Sequence, residues 1–149
     1  MFQKLLNLYN LFSNKAVHTK NFSLLLIRLV LAYGFWSPAM MKWKNIDQII
    51  TWFSGMGIPF PQLNAYLSAS TELAGSIFLT LGLMTRLISI PLMIVMLVAI
   101  FTVHLPNGFE SGNNGFEIPL YYLVMLISLF ANGSGKYSVD FFLKKIQKA

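Results

Sequence analysis

Cysteine is absent, and acids are few: five against eleven basic residues in 149. Without cysteine, the chain has no disulfide, no thiolate metal site and no cysteine nucleophile. HExxH, GxSxG and phosphate-loop patterns are missing, as is the CxxCH haem-attachment run, so a soluble-style hydrolase has no motif here. No internal repeat or low-complexity tract appears. Only 11% of the residues are charged, against about 25% in an ordinary soluble domain.

What is abundant is apolar. Hydrophobic residues make up 56% of the chain, and the mean hydropathy is +0.62. The expected class is an all-α integral membrane protein, one domain over residues 1–149, with four helices crossing the bilayer. The expected spans are about 22–41, 64–84, 87–105 and 118–131, flanked by short interfacial helices at both termini and in the first outer loop. Phe2, Leu5, Leu6, Tyr9 and Phe12 share a face of the first interfacial helix, and Val139, Phe142, Leu143 and Ile146 a face of the last. Ile46, Ile49, Ile50 and Phe53 mark a half-buried helix between the first two spans. Pro38 is expected to kink or end the first span, a tight turn at Met84–Arg86 to open the third, and Pro91 to fall near its first turn. Asn114 and Glu117 resemble a capping box for the fourth.

The net charge of +6 is a matter of topology rather than of nucleic acid. With four spans, Lys4, Lys15, Lys20, Arg86, Lys136, Lys144, Lys145 and Lys148 share one side, and Lys42 and Lys44 take the other. The positive-inside rule then puts both termini in the cytoplasm. The apolar run after Lys20 is longer than a signal-peptide core and no A-x-A site follows it, so the first span is expected to remain as an anchor.

The second span, NAYLSASTELAGSIFLTLGLMTR, carries the chemistry. Asn64, Ser68, Glu72, Ser76 and Thr80 recur every four residues along one helical ridge. Ala74, Gly75 and Gly82 beside it permit close helix approach. An acid in hydrocarbon costs roughly 2.5 kcal/mol or more, so Glu72 is expected to face the bundle interior.

Arg28 is the other ionisable group within a span. Either it pairs with Glu72 across one polar site, or it snorkels to the cytoplasmic interface. It lies about 9 Å from the inner end of its span, and Glu72 about 12 Å from the outer end of its own. Side chains tilt toward a helix N-terminus, so Arg28 leans inward and Glu72 outward. Near the outer end, Trp36, Ser37, His104, Glu117, Tyr121 and Tyr122 line either a pocket floored by Glu72, with Lys42 above, or an ordinary aromatic belt. Met93, Met96 and His104 are soft-ligand material for copper(I), and the methionines equally serve as apolar filler.

SLLLIRLVLAYGF in the first span and TELAGSIFLTLGLMTRLISIPL across the second and third resemble the DoxX family of four-helix membrane proteins. Arg28 matches its first-helix arginine, and Glu72, Gly75, Gly82, Thr85 and Arg86 match its E-x-x-G…G-x-x-T-R run. FWSPAMMKW, GIPFPQLNAYLSASTE and VAIFTVHLPNGF…GNNGFEIPLYYL are similar to the HvfX-type branch, and the likeness runs over about residues 22–140. The resemblance implies a bacterial inner-membrane subunit of a redox-linked system, with a quinone as its cofactor, or of copper-binding-peptide maturation. More distant relatives imply a non-catalytic assembly factor instead. The expected site residues are Glu72 as proton relay, with Arg28, Trp36, Ser68, His104, Asn113, Asn114, Glu117 and Tyr121 in binding. The expected partners are the lipid bilayer, a partner protein or modified peptide, and a second copy in a homo-oligomer.

Overall fold

The computed structural model describes residues 2–17 and 19–147, without the side chains of residues 8, 9 and 11–15. Tyr9 and Phe12 of the first apolar face, and Lys15 and Lys148 of the basic set, therefore lie outside the described side chains. Every regular element among the described residues is helical: α1 (Phe2–Val17), α2 (Lys20–Lys44), α3 (Ile46–Gly55), α4 (Pro61–Leu81), α5 (Thr85–Ala99), α6 (Glu117–Asn132) and α7 (Val139–Ile146). α5 continues as a π turn, Ile100–His104, and a 3-10 turn, Leu105–Asn107.

Length and apolarity suit α2 and the continuous Thr85–Asn107 stretch for crossing a membrane, while α6 is apolar but shorter. α2 packs along α4, α4 on α5, α5 on α6 and α6 back on α2, so the four close a bundle. Its interior is built from Leu31, Phe35, Leu79, Leu92, Leu126 and Leu129, each almost completely buried. α3 lies on the start of α4, pressing Ile49 and Phe53 against Ala65.

Small residues set the helix separations. Ala32 and Ala39 on α2, and Ala65 and Ala69 on α4, are buried at or near zero exposure. A Cβ at Gly75 would lie 2.7 Å from the Leu92 side chain of α5. At Gly34, a Cβ would occupy the place of the Tyr122 ring, which also packs edge-on to Phe35.

Four local expectations need correction. α2 does not end at Pro38 but runs to Lys44; proline removes only the bond to the Gly34 carbonyl, and the ladder resumes beyond it. The turn between α4 and α5 falls at Gly82–Met84, earlier in the chain than predicted, because Gly82 takes the left-handed conformation and Leu83 N–H returns to Phe78 O at 2.9 Å. Pro91 lies inside α5, beyond its first turn. The predicted Asn114 cap is not made: α6 starts after Phe116, and Asn114 itself is left-handed with φ 59°.

Gly82 has a double reason to be glycine. Its φ is +65°, and a Cβ would run into the Arg28 guanidinium and the Ser138 side chain. Gly82→Ala is expected to destabilise the protein by about 2 kcal/mol or more, from the left-handed strain and the overlap together. Gly55→Ala, at the end of α3 with open space around it, is expected to be neutral or slightly stabilising. Thermal unfolding of both variants in detergent checks the contrast, and equal shifts would contradict it.

Candidate functional site

The polar ridge of α4 faces α2, and the two helices run antiparallel. Their register is marked where Ser76 Oγ donates to Ala32 O at 2.7 Å. From that level Glu72 lies about 6 Å toward the end where α3 packs, the outer end of the expected topology, and Arg28 about 6 Å toward the opposite end, where α7 packs. The two Cα atoms are thus about 12 Å apart along the bundle, and the helix tilt of side chains carries their charges further apart. Arg28 and Glu72 do not pair.

Glu72 pairs instead with Lys42, whose ammonium donates to Oε1. Lys42 stands about 9 Å further out along the bundle. Both side chains tilt toward their own helix N-terminus, which in antiparallel helices means toward each other. The pair is shielded, with side-chain exposures of 14% for Lys42 and 3% for Glu72. Glu72 Oε2 is buried with no hydrogen-bond partner among the described residues. One carboxylate oxygen is thus neutralised and the other is free to accept a proton. Ser68, one turn outward, turns back on Ala65 O, and Trp43 covers this end edge-on to Tyr66, with ring centroids 5.8 Å apart.

Arg28 forms a second polar centre at the other end. It is fully buried and donates through Nη2 to Tyr137 O. Neither open alternative for Arg28 describes this arrangement: it reaches no carboxylate of α4, and it is not exposed at an interface. The segment after α6 folds over it. Asp140 accepts from Met84 N–H at 2.7 Å and Thr85 N–H at 3.1 Å, capping α5, while its own N–H donates to Gly82 O at 3.1 Å. α7 begins with Ser138 Oγ accepting from Phe141 N–H, and Lys136 N–H donates to Asn21 Oδ1 at 3.0 Å. The tail is thereby stitched to α2, α4 and α5.

The remaining predicted residues gather around the α5–α6 loop. The His104 ring Nδ1 lies 2.8 Å from Asn114 O, to which Asn107 also donates. Glu117 takes Ser111 N–H on Oε2 at 3.0 Å and Tyr121 O–H on Oε1 at 3.1 Å. Asn113 donates to Glu110. No hydrogen bond joins this cluster to Glu72 among the described residues. Trp36 is 48% exposed on the bundle exterior. Met96 is buried in the core and Met93 packs against it, whereas His104 turns to the loop at the end of the π turn. Among the described residues no group of three histidine or acidic side chains is placed to hold a metal.

Lys42 and Asp140 are the residues that spacing alone does not single out as partners. The inward tilt of a lysine one span-length from Glu72 is the signal for the first. Nothing local signals the second, because the α5 end it caps lies 55 positions away.

An all-helical, strongly apolar bundle with one buried ion pair and a buried arginine inside it fits a helical membrane protein. The DoxX family model matches residues 23–105, and the chain belongs to the DoxX family. It is 32% identical to an uncharacterized protein of Haemophilus influenzae, covering 83% of this chain and 85% of that one. It is 31% identical to the Bacillus subtilis protein named "Putative oxidoreductase CatD" (83% and 89% covered). A Mycobacterium tuberculosis protein, "Uncharacterized membrane protein Rv3486", is 33% identical (83% and 82% covered). No solved structure matches at the same stringency.

Removing one member of a buried pair strands the other. Lys42→Met is therefore expected to cost about 3 kcal/mol, and Lys42→Met/Glu72→Leu to recover most of it. A double-mutant cycle on unfolding in detergent measures the coupling, and additive losses would contradict the pairing.

The hydrogen bonds from the Ser111 backbone and the Tyr121 hydroxyl hold the Glu117 carboxyl below its usual range. A depressed acid contributes stability that is complete above its unfolded value, about 4.3, and is lost as pH falls through its folded value. Hydrogen exchange at Ser111 N–H, corrected for intrinsic rate, is expected to show protection at neutral pH that is lost only as pH falls through the depressed folded value of Glu117. Protection unchanged in Glu117→Gln would overturn this.

Proposed function

We propose that α2, α4, Thr85–Asn107 and α6 each cross the bacterial inner membrane, with both termini in the cytoplasm, and that the chain is a membrane subunit of a redox-linked system. Its membership of the DoxX family and the name of its Bacillus subtilis relative support the redox assignment. The lysine distribution supports the orientation. The observation that carries the mechanism is the buried carboxyl of Glu72, held on one oxygen by Lys42 and open on the other.

That arrangement suits one half of a quinone couple. Oxidation of a quinol releases two electrons and two protons. A redox partner of the complex would take both electrons; Glu72 Oε2 would accept one proton, which Lys42 would help to return to the outer side, and the second proton would pass to water at that side. Lys42 sets the proton affinity of Glu72, and the aromatic side chains of α2 and α4 exclude bulk water. A place in the HvfX-type branch puts the same subunit beside the maturation of a copper-binding peptide. His104 is then the soft side chain nearest to such a cargo, since Met93 and Met96 pack in the core, and Asn113, Asn114 and Glu117 shape the mouth that meets it.

A second reading rests on a separate observation. Trp52 and Phe60 are 46% and 75% exposed on the segment joining α2 to α4, and Phe60 is held there in a left-handed backbone conformation. These aromatics suit contact with a peptide or a partner subunit, with no chemistry at Glu72.

Glu72→Gln separates the two. If it folds with unchanged helicity, the redox reading expects quinol-dependent electron transfer to fall at least tenfold while partner association persists. Full turnover in that variant rules out the relay. Loss of association in Trp52→Ala or Phe60→Ala, with turnover independent of Glu72, favours the assembly reading.

A further inference from the structure

The face that carries the chain termini holds a groove the redox reading does not use. Its volume is about 560 Å³, and it lies where the start of α2, the start of α5, the end of α6 and α7 converge. Lys20, Arg86, Lys136 and Lys144 line it, and the one carboxylate among them is Asp140. Both oxygens of Asp140 are already committed to the Met84 and Thr85 amides. The Arg86 guanidinium is fixed at the wall by donation to Ala131 O at 3.0 Å. Four cations thus face a space with no free anion among the described residues.

A second groove adjoins it. This one, about 210 Å³, has a purely apolar lining that includes Phe78, Ile88, Ile90 and Pro91 on the α4–α5 face. The two share Met84 and Leu87, which are 51% and 61% exposed. A cationic compartment that runs into an apolar one matches an amphiphile with an anionic head. Basic pockets between transmembrane helices on the cytoplasmic side bind such headgroups by charge, at about 1 kcal/mol per lysine or arginine. A free phosphate or an acidic peptide would use the first groove and gain nothing from the second.

We propose that this double groove is a binding site for one anionic phospholipid of the surrounding bilayer. The phosphate-bearing head lies among Lys20, Arg86, Lys136 and Lys144, and an acyl chain runs past Leu87 along the α4–α5 face. The bound lipid braces the tail segment, which carries Tyr137 to Arg28 and Asp140 to α5, against the helix ends.

The test uses the full chain in detergent, offered phosphatidylglycerol and phosphatidylcholine at equal concentration and read by native mass spectrometry. One phosphatidylglycerol per chain is expected, retained at least tenfold over phosphatidylcholine. Lys20→Gln/Lys136→Gln is expected to weaken retention about thirtyfold, by two lost charges. Lys4→Gln/Lys44→Gln, outside the groove, is expected to leave it unchanged. Equal retention of the two lipids by the wild-type chain overturns the proposal without recourse to any variant. Displacement of phosphatidylglycerol by equimolar inorganic phosphate or by deacylated glycerophosphoglycerol also overturns it, since the apolar groove would then contribute nothing.

Discussion

A carboxylate in the middle of an apolar helix is costly unless it is protonated or paired with a cation. In this protein the cation is Lys42, reaching inward along α2 to Glu72 on α4. Two antiparallel helices with opposed side-chain tilts make such a reach possible, and small residues at Ala32, Ala39, Ala65 and Ala69 let the backbones come close enough. The same close packing brings Ser76 to the Ala32 carbonyl. Charge pairing, register and helix separation are therefore one constraint.

At the opposite end the buried guanidinium has one backbone partner and no counter-ion, and its Nε and Nη1 are unpartnered among the described residues. Arg28 is buried against the Tyr137 carbonyl, and Gly82 leaves the room its guanidinium occupies. Asp140, the nearest acid, spends both oxygens on the amides that open α5. The tail after α6 thus closes the inner end of the bundle, much as α3 and Trp43 close the outer end. Between these closures lie the buried Lys42–Glu72 pair, with Glu72 Oε2 unpartnered among the described residues, and a core of leucines, alanines and Phe35.

The helices were legible because apolar length and four-residue spacing are local signals. The ridge through Ser68, Glu72 and Ser76 reads directly from the sequence, as does the opposite lean of Arg28 and Glu72. Their failure to pair follows from that lean, and Lys42 stands above Glu72 in the same reading, but the sequence does not show that it reaches down far enough to pair with it. Helix ends were read less well. Pro38 signals a break that the surrounding packing overrides, and the left-handed Gly82 and Met84 move the α4–α5 turn by a few positions. Asn114 and Glu117 have the spacing of a cap, yet Glu117 turns back to Ser111, because the loop closes on itself before α6 begins. Asp140 was illegible for the plainest reason: its partners are distant in the chain.

In the redox reading proposed above, Lys42 keeps Glu72 charged inside the bundle. Difference infrared spectroscopy of the protein in lipid measures this directly, with the Glu72 band assigned by its loss in Glu72→Gln. The account predicts an ionised carboxylate band for Glu72 at neutral pH in the wild-type protein, replaced by a protonated carboxyl band in Lys42→Met. The same band in both proteins would contradict it.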